Sequence, residues 1–427
     1  MDQTTDAMAQ ADDQQYNEFW QQETQQDFAS WTLNGVAVRG SEQQVDLRLN
    51  PGTPMTCSSV SIDGGTASYD AAAKLCKGKD PHAPGSYRNG LDYYNGSTFY
   101  YGTLLSPVHI THKPITTIIP SWNATTPKGT WLQVHLRVQV AGTWTHWYRL
   151  SIWASDFTAI HRHSVDGQQD ATGSVSTDTF SVGKQKATAY QLSVTLFATS
   201  HTISPSVRRI AAIASNDRDA QHTPVIPSNK VAWNVNLAVP QRSQMLEQYR
   251  GLGYGGGGEA WCSPTSTSMV LAYWAKRLKR PELIQTVPDA ARDTYDFTYE
   301  GAGNWPFNTA YAGRYGLNTF VTRMYSMSQL ELWIKLGVPL VISVAYGPGQ
   351  LPGSPIASSN GHLLVVRGFT STGDVITNDP AAASDPAVQI TYPRSTLQKL
   401  WLNASHGTVY VMYPEDWQIP LADRLGS

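Results

Sequence analysis

The segment Gly251–Trp274 constrains the fold more than any other part of the chain. It reads GLGYGGGGEAWCSPTSTSMVLAYW: a glycine-rich stretch, then Cys262, then Pro264, then an apolar run. Proline is tolerated in the first turn of a helix because the amides of that turn have no intrahelical acceptor. Apolar residues lie on every side of the helix predicted at 264–275, so other elements must cover it. The sequence therefore predicts a central helix with Cys262 at its N-terminus.

Cys262 is a candidate nucleophile because of this position. Unpaired backbone amides and the helix dipole place partial positive charge beside the sulfur, which favours a thiolate. The other interpretation is that Cys262 is a small buried hydrophobic residue, as many free cysteines are. Partners for the thiol elsewhere in the chain decide between the two.

Length and charge limit the class of protein. The chain has 427 residues, which is enough for two or three domains, and a formal net charge of -2. It has no basic run, so nucleic acid is not an expected partner. No apolar run reaches membrane-spanning length, so we expect no membrane span.

No cofactor or metal is expected. Gly251, Gly253 and Gly256 match the spacing of a dinucleotide fingerprint, but no strand-like run precedes them. The histidine pairs at 109 and 112 and at 161 and 163 have no third ligand at suitable spacing, so surface histidines on strands are the simpler interpretation.

The three cysteines bear on the compartment. Cys57 and Cys76 lie near each other in the amino-terminal half, far from Cys262. We expect a Cys57–Cys76 disulfide, which implies an oxidising compartment and leaves Cys262 as a free thiol. The chain begins MDQTTDAMAQADDQQ, which does not resemble a signal peptide. The cysteines nevertheless favour a secreted or cell-surface protein whose signal is absent from this sequence.

Hydrophobic periodicity divides the chain into regions. Apolar and polar residues alternate along 132–140, which is typical of a strand, and similar short patterns recur through the first half. We predict a polar arm at 1–28, an antiparallel β-sandwich or jelly roll at 29–215, a linker at 216–235 and an α+β domain at 236–427. Aromatic residues of the sandwich leave open a cell-wall or surface glycan as a ligand.

Helix and strand patterns are mixed in the last region. Ser328 and Glu331 are spaced as a capping box, which predicts a helix that ends at Gly337. Strands are predicted at 339–345, from His362, at 375–379 and at 408–413, with a further helix at 395–402.

A thiol nucleophile needs a base, and the base needs an orienting group. His362 is the candidate base, and Asn378 and Asp379 follow it at the end of a predicted strand. Neighbouring strand residues point to opposite faces, so only one of these two can meet the imidazole.

These motifs carry a family resemblance. EAWCSPTSTSMVLAYW, GAGNWPFNTAYAGRYGL, NGHLLVVRGF and ITNDP resemble segments of papain-like bacterial cysteine peptidases of the bacteriocin-processing, double-glycine leader type. The likeness is to secreted, stand-alone relatives with a β-rich domain ahead of the peptidase, and it covers residues 236–427. It implies a triad of Cys262, His362 and Asp379 that hydrolyses a protein or peptide through a thioester.

The resemblance also implies an oxyanion donor. Such enzymes have a glutamine about six residues before the cysteine, but Gly256 stands there. Gln244 fits best if the glycine loop is an insertion, with Gln241 and Gln248 as rivals. Trp261 and Trp305 are candidates for substrate binding in the cleft, although core packing explains them equally well.

Two other functions remain open. The same site suits a cell-wall amidase or an acyl transferase, because fold does not choose among these activities. A surface-binding protein with an inert peptidase-like domain is the alternative from a different class.

Overall fold

The computed structural model describes residues 16–41, 45–81, 96–218 and 227–419. The chain forms two compact units. One, called the β unit below, comprises Trp20–Ala211 with Asp296–Glu300. The other, the mixed unit, comprises the described parts of Met1–Phe19, Ala212–Tyr295 and Gly301–Ser427.

In the described part of the first half of the chain, regular secondary structure is almost entirely strand. A short helix α1 spans Gln25–Phe28. The strands up to the segment before the nucleophile are β1 Tyr16–Gln22, β2 Thr32–Asn34, β3 Val36–Gly40, β4 Val45–Leu49, β5 Thr66–Asp70, β6 Leu75–Lys79, β7 Thr98–Leu105, β8 His109–Ile115, β9 Thr117–Thr125, β10 Thr130–Val140, β11 Thr143–Trp144, β12 Tyr148–Trp153, β13 His163–Ser164, β14 Gly173–Ser176, β15 Thr179–Val182, β16 Ala187–Ala198 and β17 Ser206–Asn216.

These strands form two antiparallel sheets within the described residues. One has the order β14-β15-β9-β17-β4-β3, with β1 also paired to β17. The other has the order β13-β12-β10-β16-β7-β6-β5, with β2, β8 and β11 as additional partners. The β-rich character predicted for this half is confirmed, whereas the jelly-roll arrangement stays a prediction.

Strand β10 shows how the alternating pattern is used. Leu132, Val134 and Leu136 are buried, as the period of two predicts. The polar residues between them are also buried: Gln133 is 1% exposed and His135 is 4% exposed. Asp63 covers this second face, accepting hydrogen bonds from Gln133 and pairing with His135. The pattern predicted the strand but not the cover on its polar face.

The predicted disulfide is present. Cys57 and Cys76 are bonded, and Cys262 is the free cysteine. Cys76 lies in a buried cluster with Ile62, Phe99 and Trp131, and Cys57 packs against the same cluster. The bond therefore fixes the segment that leads into Asp63.

The predicted arm and linker contain regular structure where they are described. Within the arm, the chain enters strand β1 at Tyr16, and helix α1 follows with a capping box formed by Thr24 and Asp27. Residues 1–15 of the predicted arm and 219–226 of the predicted linker lie outside the described residues. The proposed limits of arm, sandwich and linker stay predictions.

The end of the predicted linker belongs to the mixed unit. The Ser328 hydroxyl donates to the Pro227 carbonyl, and the Trp233 indole donates to the Ser228 hydroxyl at 2.9 Å. Strand β18, Val235–Asn236, then pairs with the strand that contains His362. This part of the segment is anchored by its own side chains.

The mixed unit contains both helices and strands. The helices are α2 Cys262–Leu278, α3 Val287–Thr294, α4 Trp305–Gly313, α5 Met327–Lys335 and α6 Arg394–Ser405. The remaining strands are β19 Leu317–Arg323, β20 Leu340–Tyr346, β21 Ser359–Phe369, β22 Val375–Asn378, β23 Gln389–Tyr392 and β24 Thr408–Pro414. They form an antiparallel sheet of order β19-β24-β20-β21-β22-β23, with β18 beside β21.

Helix α2 is central, as its uniform hydrophobicity predicts. Every residue from Ser263 to Ala275 is buried. The Ser266 hydroxyl donates to the Leu363 carbonyl of β21 at 3.0 Å, and the Trp274 indole donates to the Met412 carbonyl of β24 at 2.8 Å. These bonds hold the helix against two strands of the sheet.

The start of helix α5 differs from the prediction. Ser326 is the N-cap, and its hydroxyl accepts a hydrogen bond from the Gln329 amide. Ser328 and Glu331 do not form the predicted capping box, because the fully buried Glu331 carboxylate accepts hydrogen bonds from Ser228 and Arg394 instead. Ser326 and Gln329, which have the same spacing two residues earlier, cap the helix instead.

Among the described residues, every helix falls short of the length and hydropathy needed to cross a membrane.

Candidate active site

Cys262 is the first residue of helix α2 and is half-buried. The first intrahelical bond of this end runs from the Thr265 amide to the Trp261 carbonyl. Pro264 has no N–H, so the amides of Cys262 and Ser263 are the first-turn donors without an intrahelical acceptor. The sulfur thus lies beside two backbone donors and the positive end of the helix dipole.

The structure brings His362 and Asp379 together. His362 lies near the start of β21, opposite Val344 of β20, and Asp379 directly follows β22. His362 Nε2 lies 2.8 Å from Asp379 Oδ1, and both side chains are buried. The Cys262 side chain also interacts with the imidazole and helps to raise the pKa of His362. Because Nε2 faces the carboxylate, Nδ1 is the nitrogen available to the sulfur.

The electrostatics of this arrangement favour a charged imidazole. Burial by itself lowers the pKa of His362, but the carboxylate of Asp379 and the contact with Cys262 outweigh it and raise the pKa to about 10. A histidine held between an acid and a thiol can take the thiol proton and keep the resulting positive charge.

Asp379 is fixed through both carboxylate oxygens. Oδ1 accepts the Ala381 amide at 3.0 Å in addition to His362, and Oδ2 accepts the Tyr392 hydroxyl at 2.7 Å. Burial raises the pKa of Asp379, but the His362 charge and these hydrogen bonds lower it below the ordinary value. The carboxylate is therefore held in its ionised form.

Asn378 points away from the histidine. Its Oδ1 accepts the Arg367 guanidinium at 2.9 Å, and its Nδ2 donates to the Pro240 carbonyl at 3.0 Å. Of the two candidate orienting residues, the structure thus pairs Asp379 with His362, while Asn378 anchors the segment that leads toward Gln244.

Gln244 lies against Gly258 and Glu259, shortly before Cys262, and its side-chain amide nitrogen is engaged there. Its side chain is buried, and Nε2 donates to the Gly258 carbonyl at 2.8 Å and to the Glu259 carbonyl at 3.0 Å. A Cβ at Gly258 would lie 2.0 Å from the Gln244 carbonyl, so glycine permits this close approach. Gln244 as an oxyanion donor stays a prediction, which requires it to release one of the two carbonyls.

Trp261 is buried beneath the glycine loop. Its indole N–H donates to the Tyr254 carbonyl at 2.9 Å, and its ring packs with Tyr249 and Val287. This contrasts with the predicted contact with substrate, because a fully buried ring cannot be reached without movement. Trp305 is half-buried at the start of α4. Substrate binding by either tryptophan stays a prediction.

Three hydroxyl residues near the proposed triad of Cys262, His362 and Asp379 were not identified from the sequence. Tyr392 contacts Asp379, and Tyr346 packs edge-on against His362 with ring centroids 6.5 Å apart. Ser354 hydrogen-bonds Tyr346 at 2.7 Å. None of them stands at a spacing that relates it to the triad, so no sequence signal pointed to them.

A search of the described residues finds no cluster of histidine, cysteine and acidic side chains suited to a metal ion.

Each half of the sequence matches a model from the peptidase C39 families. Residues 18–215 match the family described as Peptidase C39 N-terminal domain, and residues 236–409 match the Peptidase C39 like family. This assignment suggests a cysteine peptidase. No curated protein matches the chain.

Solved structures give weaker likenesses. A C39-like peptidase from Bacillus anthracis is 18% identical, with a TM-score of 0.30, 42% of this chain covered and 96% of that chain. The CBM22-1 and GH10 modules of Clostridium thermocellum endo-1,4-beta-D-xylanase 10B, complexed with xylohexaose, are 10% identical, with a TM-score of 0.18 and coverage of 44% and 27%. At these TM-scores neither likeness bears on activity.

Proposed function

We propose that this chain is a papain-like cysteine peptidase of the bacteriocin-processing type, which cleaves peptide bonds through a thioester acyl-enzyme. One observation carries the proposal: His362 hydrogen-bonds Asp379 and interacts with Cys262, and Cys262 begins a buried helix. A nucleophile, a base and an orienting acid are the groups that acyl transfer needs.

In the proposed mechanism the Cys262 sulfur attacks the carbonyl carbon of the scissile bond. His362 Nδ1 takes the thiol proton and then gives it to the leaving amine, so that the C–N bond breaks and a thioester forms. Asp379 accepts the Nε2–H of His362, which keeps the imidazole in the required tautomer and stabilises its positive charge.

Backbone donors stabilise the oxyanion in this proposal. The amides of Cys262 and Ser263 are directed outward from the helix start, where negative charge develops on the carbonyl oxygen. Gln244 adds a further donor if it releases the Gly258 or Glu259 carbonyl. Water, activated by His362, then attacks the thioester and frees the thiol and the carboxylic acid.

The central experiment compares Cys262→Ala with wild type on a peptide library. We expect hydrolysis to fall by about 10⁴-fold or more, because the residual oxyanion donors cannot replace the nucleophile. Ser268→Ala is a matched control, since Ser268 lies on the same buried helix and bonds only the Thr265 carbonyl. Undiminished cleavage by the Cys262 variant would refute the proposal.

Thiol labelling separates the peptidase from an inert domain. Cys57 and Cys76 are bonded to each other, so iodoacetamide reports on Cys262 alone. An activated thiol should be alkylated rapidly and stoichiometrically at ~pH 6, whereas an inert cysteine should not react. Incubation with purified cell walls, monitored for released stem peptides, tests the amidase alternative.

We also propose that the protein is exported. The Cys57–Cys76 disulfide supports this, because such bonds persist in oxidising compartments. A glycan ligand for the β unit is not proposed, since no observation in that unit favours one. Cell fractionation, with the disulfide state measured by mass shift after alkylation, tests the compartment.

A further inference from the structure

Tyr392 is buried at the end of β23, directly behind the acid of the proposed triad. The side chain is inaccessible to solvent, and its hydroxyl donates to Asp379 Oδ2 at 2.7 Å. The neighbouring oxygen, Oδ1, faces His362 Nε2 at 2.8 Å. The two sides of one carboxylate therefore bind one phenol and one imidazole.

We propose that Tyr392 is a positioning residue that acts on His362 through Asp379. This inference rests on the proposed function of the triad. The phenol fixes the rotation of the carboxylate, so that Oδ1 stays directed at the imidazole, and it helps to keep Asp379 ionised.

The argument begins with the burial of the carboxylate. Asp379 has no exposed surface, so water does not solvate its charge. An ionised carboxylate needs several donors when it is buried. The Ala381 amide and His362 both bind Oδ1, and Tyr392 binds Oδ2. Loss of the Tyr392 hydroxyl would leave Oδ2 without its side-chain donor, which favours rotation or protonation of Asp379.

A chain of hydroxyl groups supports the phenol. Ser354 hydrogen-bonds Tyr346 at 2.7 Å, and its hydroxyl also interacts with Tyr392. Burial raises the pKa of Tyr346 to about 12 and that of Tyr392 well above the ordinary value, so both phenols remain protonated. Tyr392 can therefore donate a hydrogen bond throughout the pH range in which the enzyme would work.

The titratable groups that act on Asp379 all belong to this site. His362 faces it from β21, Tyr392 from β23 and Tyr346 from β20. The Cys262 thiol on helix α2 interacts with both His362 and Tyr346. A change in the charge of Asp379 therefore alters the imidazole and, through it, the reactivity of the thiol.

The test compares Tyr392→Phe with Tyr273→Phe. The control removes a hydroxyl from another buried tyrosine, which donates to the Gly337 carbonyl at 2.7 Å near the far end of helix α2. Two quantities are measured for each protein: kcat/KM for peptide hydrolysis, and the rate of Cys262 alkylation by iodoacetamide as a function of pH. Circular dichroism and the thermal midpoint report folding.

For Tyr392→Phe we expect kcat/KM to fall by about 10- to 100-fold, the loss typical of one hydrogen bond to a charged group. The acidic limb of the alkylation profile should move to higher pH. The reason is that Asp379 is protonated more easily without the phenol and then no longer stabilises the imidazolium beside the thiol. Tyr273→Phe should lower thermal stability without moving this limb.

Three results would overturn the inference. The acidic limb could stay in place while hydrolysis is unchanged, or hydrolysis could fall in both variants with identical pH profiles, which would indicate a structural role. The third is that Tyr392→His, which retains an N–H donor, behaves no better than Tyr392→Phe. If the phenylalanine variant does not fold, the alkylation profile of the histidine variant is compared with that of the wild type. An acidic limb that moves despite the retained N–H donor then overturns the inference. Alkylation needs no substrate, so failure of the peptidase assay alone would count against the proposed function and leave this test intact.

Discussion

In each unit, the part of the chain that the structure describes contains a buried histidine that meets an aspartate. In the mixed unit, His362 Nε2 lies 2.8 Å from Asp379. In the β unit, His135 Nε2 lies 3.2 Å from Asp63. Both histidines are almost inaccessible, at 2% and 4% exposure. By geometry alone, either pair would suit a base and its orienting acid.

The surroundings of the two acids differ. Asp63 is approached by Gln133 at 3.1 Å and Arg149 at 3.9 Å, so several donors share its charge. The other cysteines of the chain, Cys57 and Cys76, are bonded and cannot serve His135 as a nucleophile. Asp379 instead hydrogen-bonds His362, which in turn interacts with the Cys262 thiol. We therefore propose a catalytic role only for the histidine–aspartate pair that a free thiol completes.

The largest expected effect comes from truncating each histidine in turn. His362→Ala should reduce kcat by about 10⁴-fold, because Cys262, the proposed nucleophile, loses its base. His135→Ala should leave kcat near the wild-type value but destabilise the β unit by about 1–3 kcal/mol, because Asp63 loses a buried partner. Steady-state kinetics and thermal unfolding of both variants measure this contrast. Equal losses of activity in the two variants would show that the two histidine–aspartate pairs do not differ in their role.

Removing the disulfide should have the next largest effect. The double variant Cys57→Ala/Cys76→Ala should lose about 3 kcal/mol of stability in the β unit, according to the loop-entropy relation. The bond packs in the cluster that includes Ile62, next to Asp63, so the His135 pair should weaken. Urea denaturation measures the loss. The alkylation rate of Cys262 should not change, and a slower rate would show that the two sites are not independent.

The smallest expected effect is the change of stability over one pH unit. The pKa of His362 is raised from 6.5 to about 10 on folding, so its contribution is complete below pH 6.5 and is lost as the pH rises toward 10. Within that window the wild type should lose at most about 1.4 kcal/mol per pH unit relative to His362→Gln. The stability of His135→Gln, measured over the same pH range, provides the comparison in the β unit. A wild-type curve parallel to that of His362→Gln above pH 6.5 would contradict the raised pKa.

Local features of the fold were predictable from the sequence. The alternation at 132–140 lies within strand Thr130–Val140, and the uniformly apolar run behind Cys262 became the buried helix Cys262–Leu278. The strand that contains His362 and the strand that ends before Asp379 were also expected. Each of these signals depends on residues a few positions apart, which is the range over which periodicity and capping act.

Contacts between segments that are distant in the sequence were harder to predict. The cap of helix α5 was assigned to Ser328, because nothing local shows that Glu331 is taken by Arg394 from a later helix. Trp261 was considered for substrate contact, whereas its indole holds the Tyr254 carbonyl. Asp63 covers Gln133 and His135 on β10, a contact that the alternating pattern does not show.

The sequence by itself determined the β-rich first half, the helix that begins at Cys262 and the order in which candidate nucleophile, base and acid occur. The tertiary structure decided whether Asn378 or Asp379 meets His362, because Asp379 turns toward the imidazole only after β22 has ended its pairing with β21. It also decided that Tyr392 supports that carboxylate. Hydrogen bonds of this kind join residues far apart in the chain, and they depend on strand register, which no local pattern encodes.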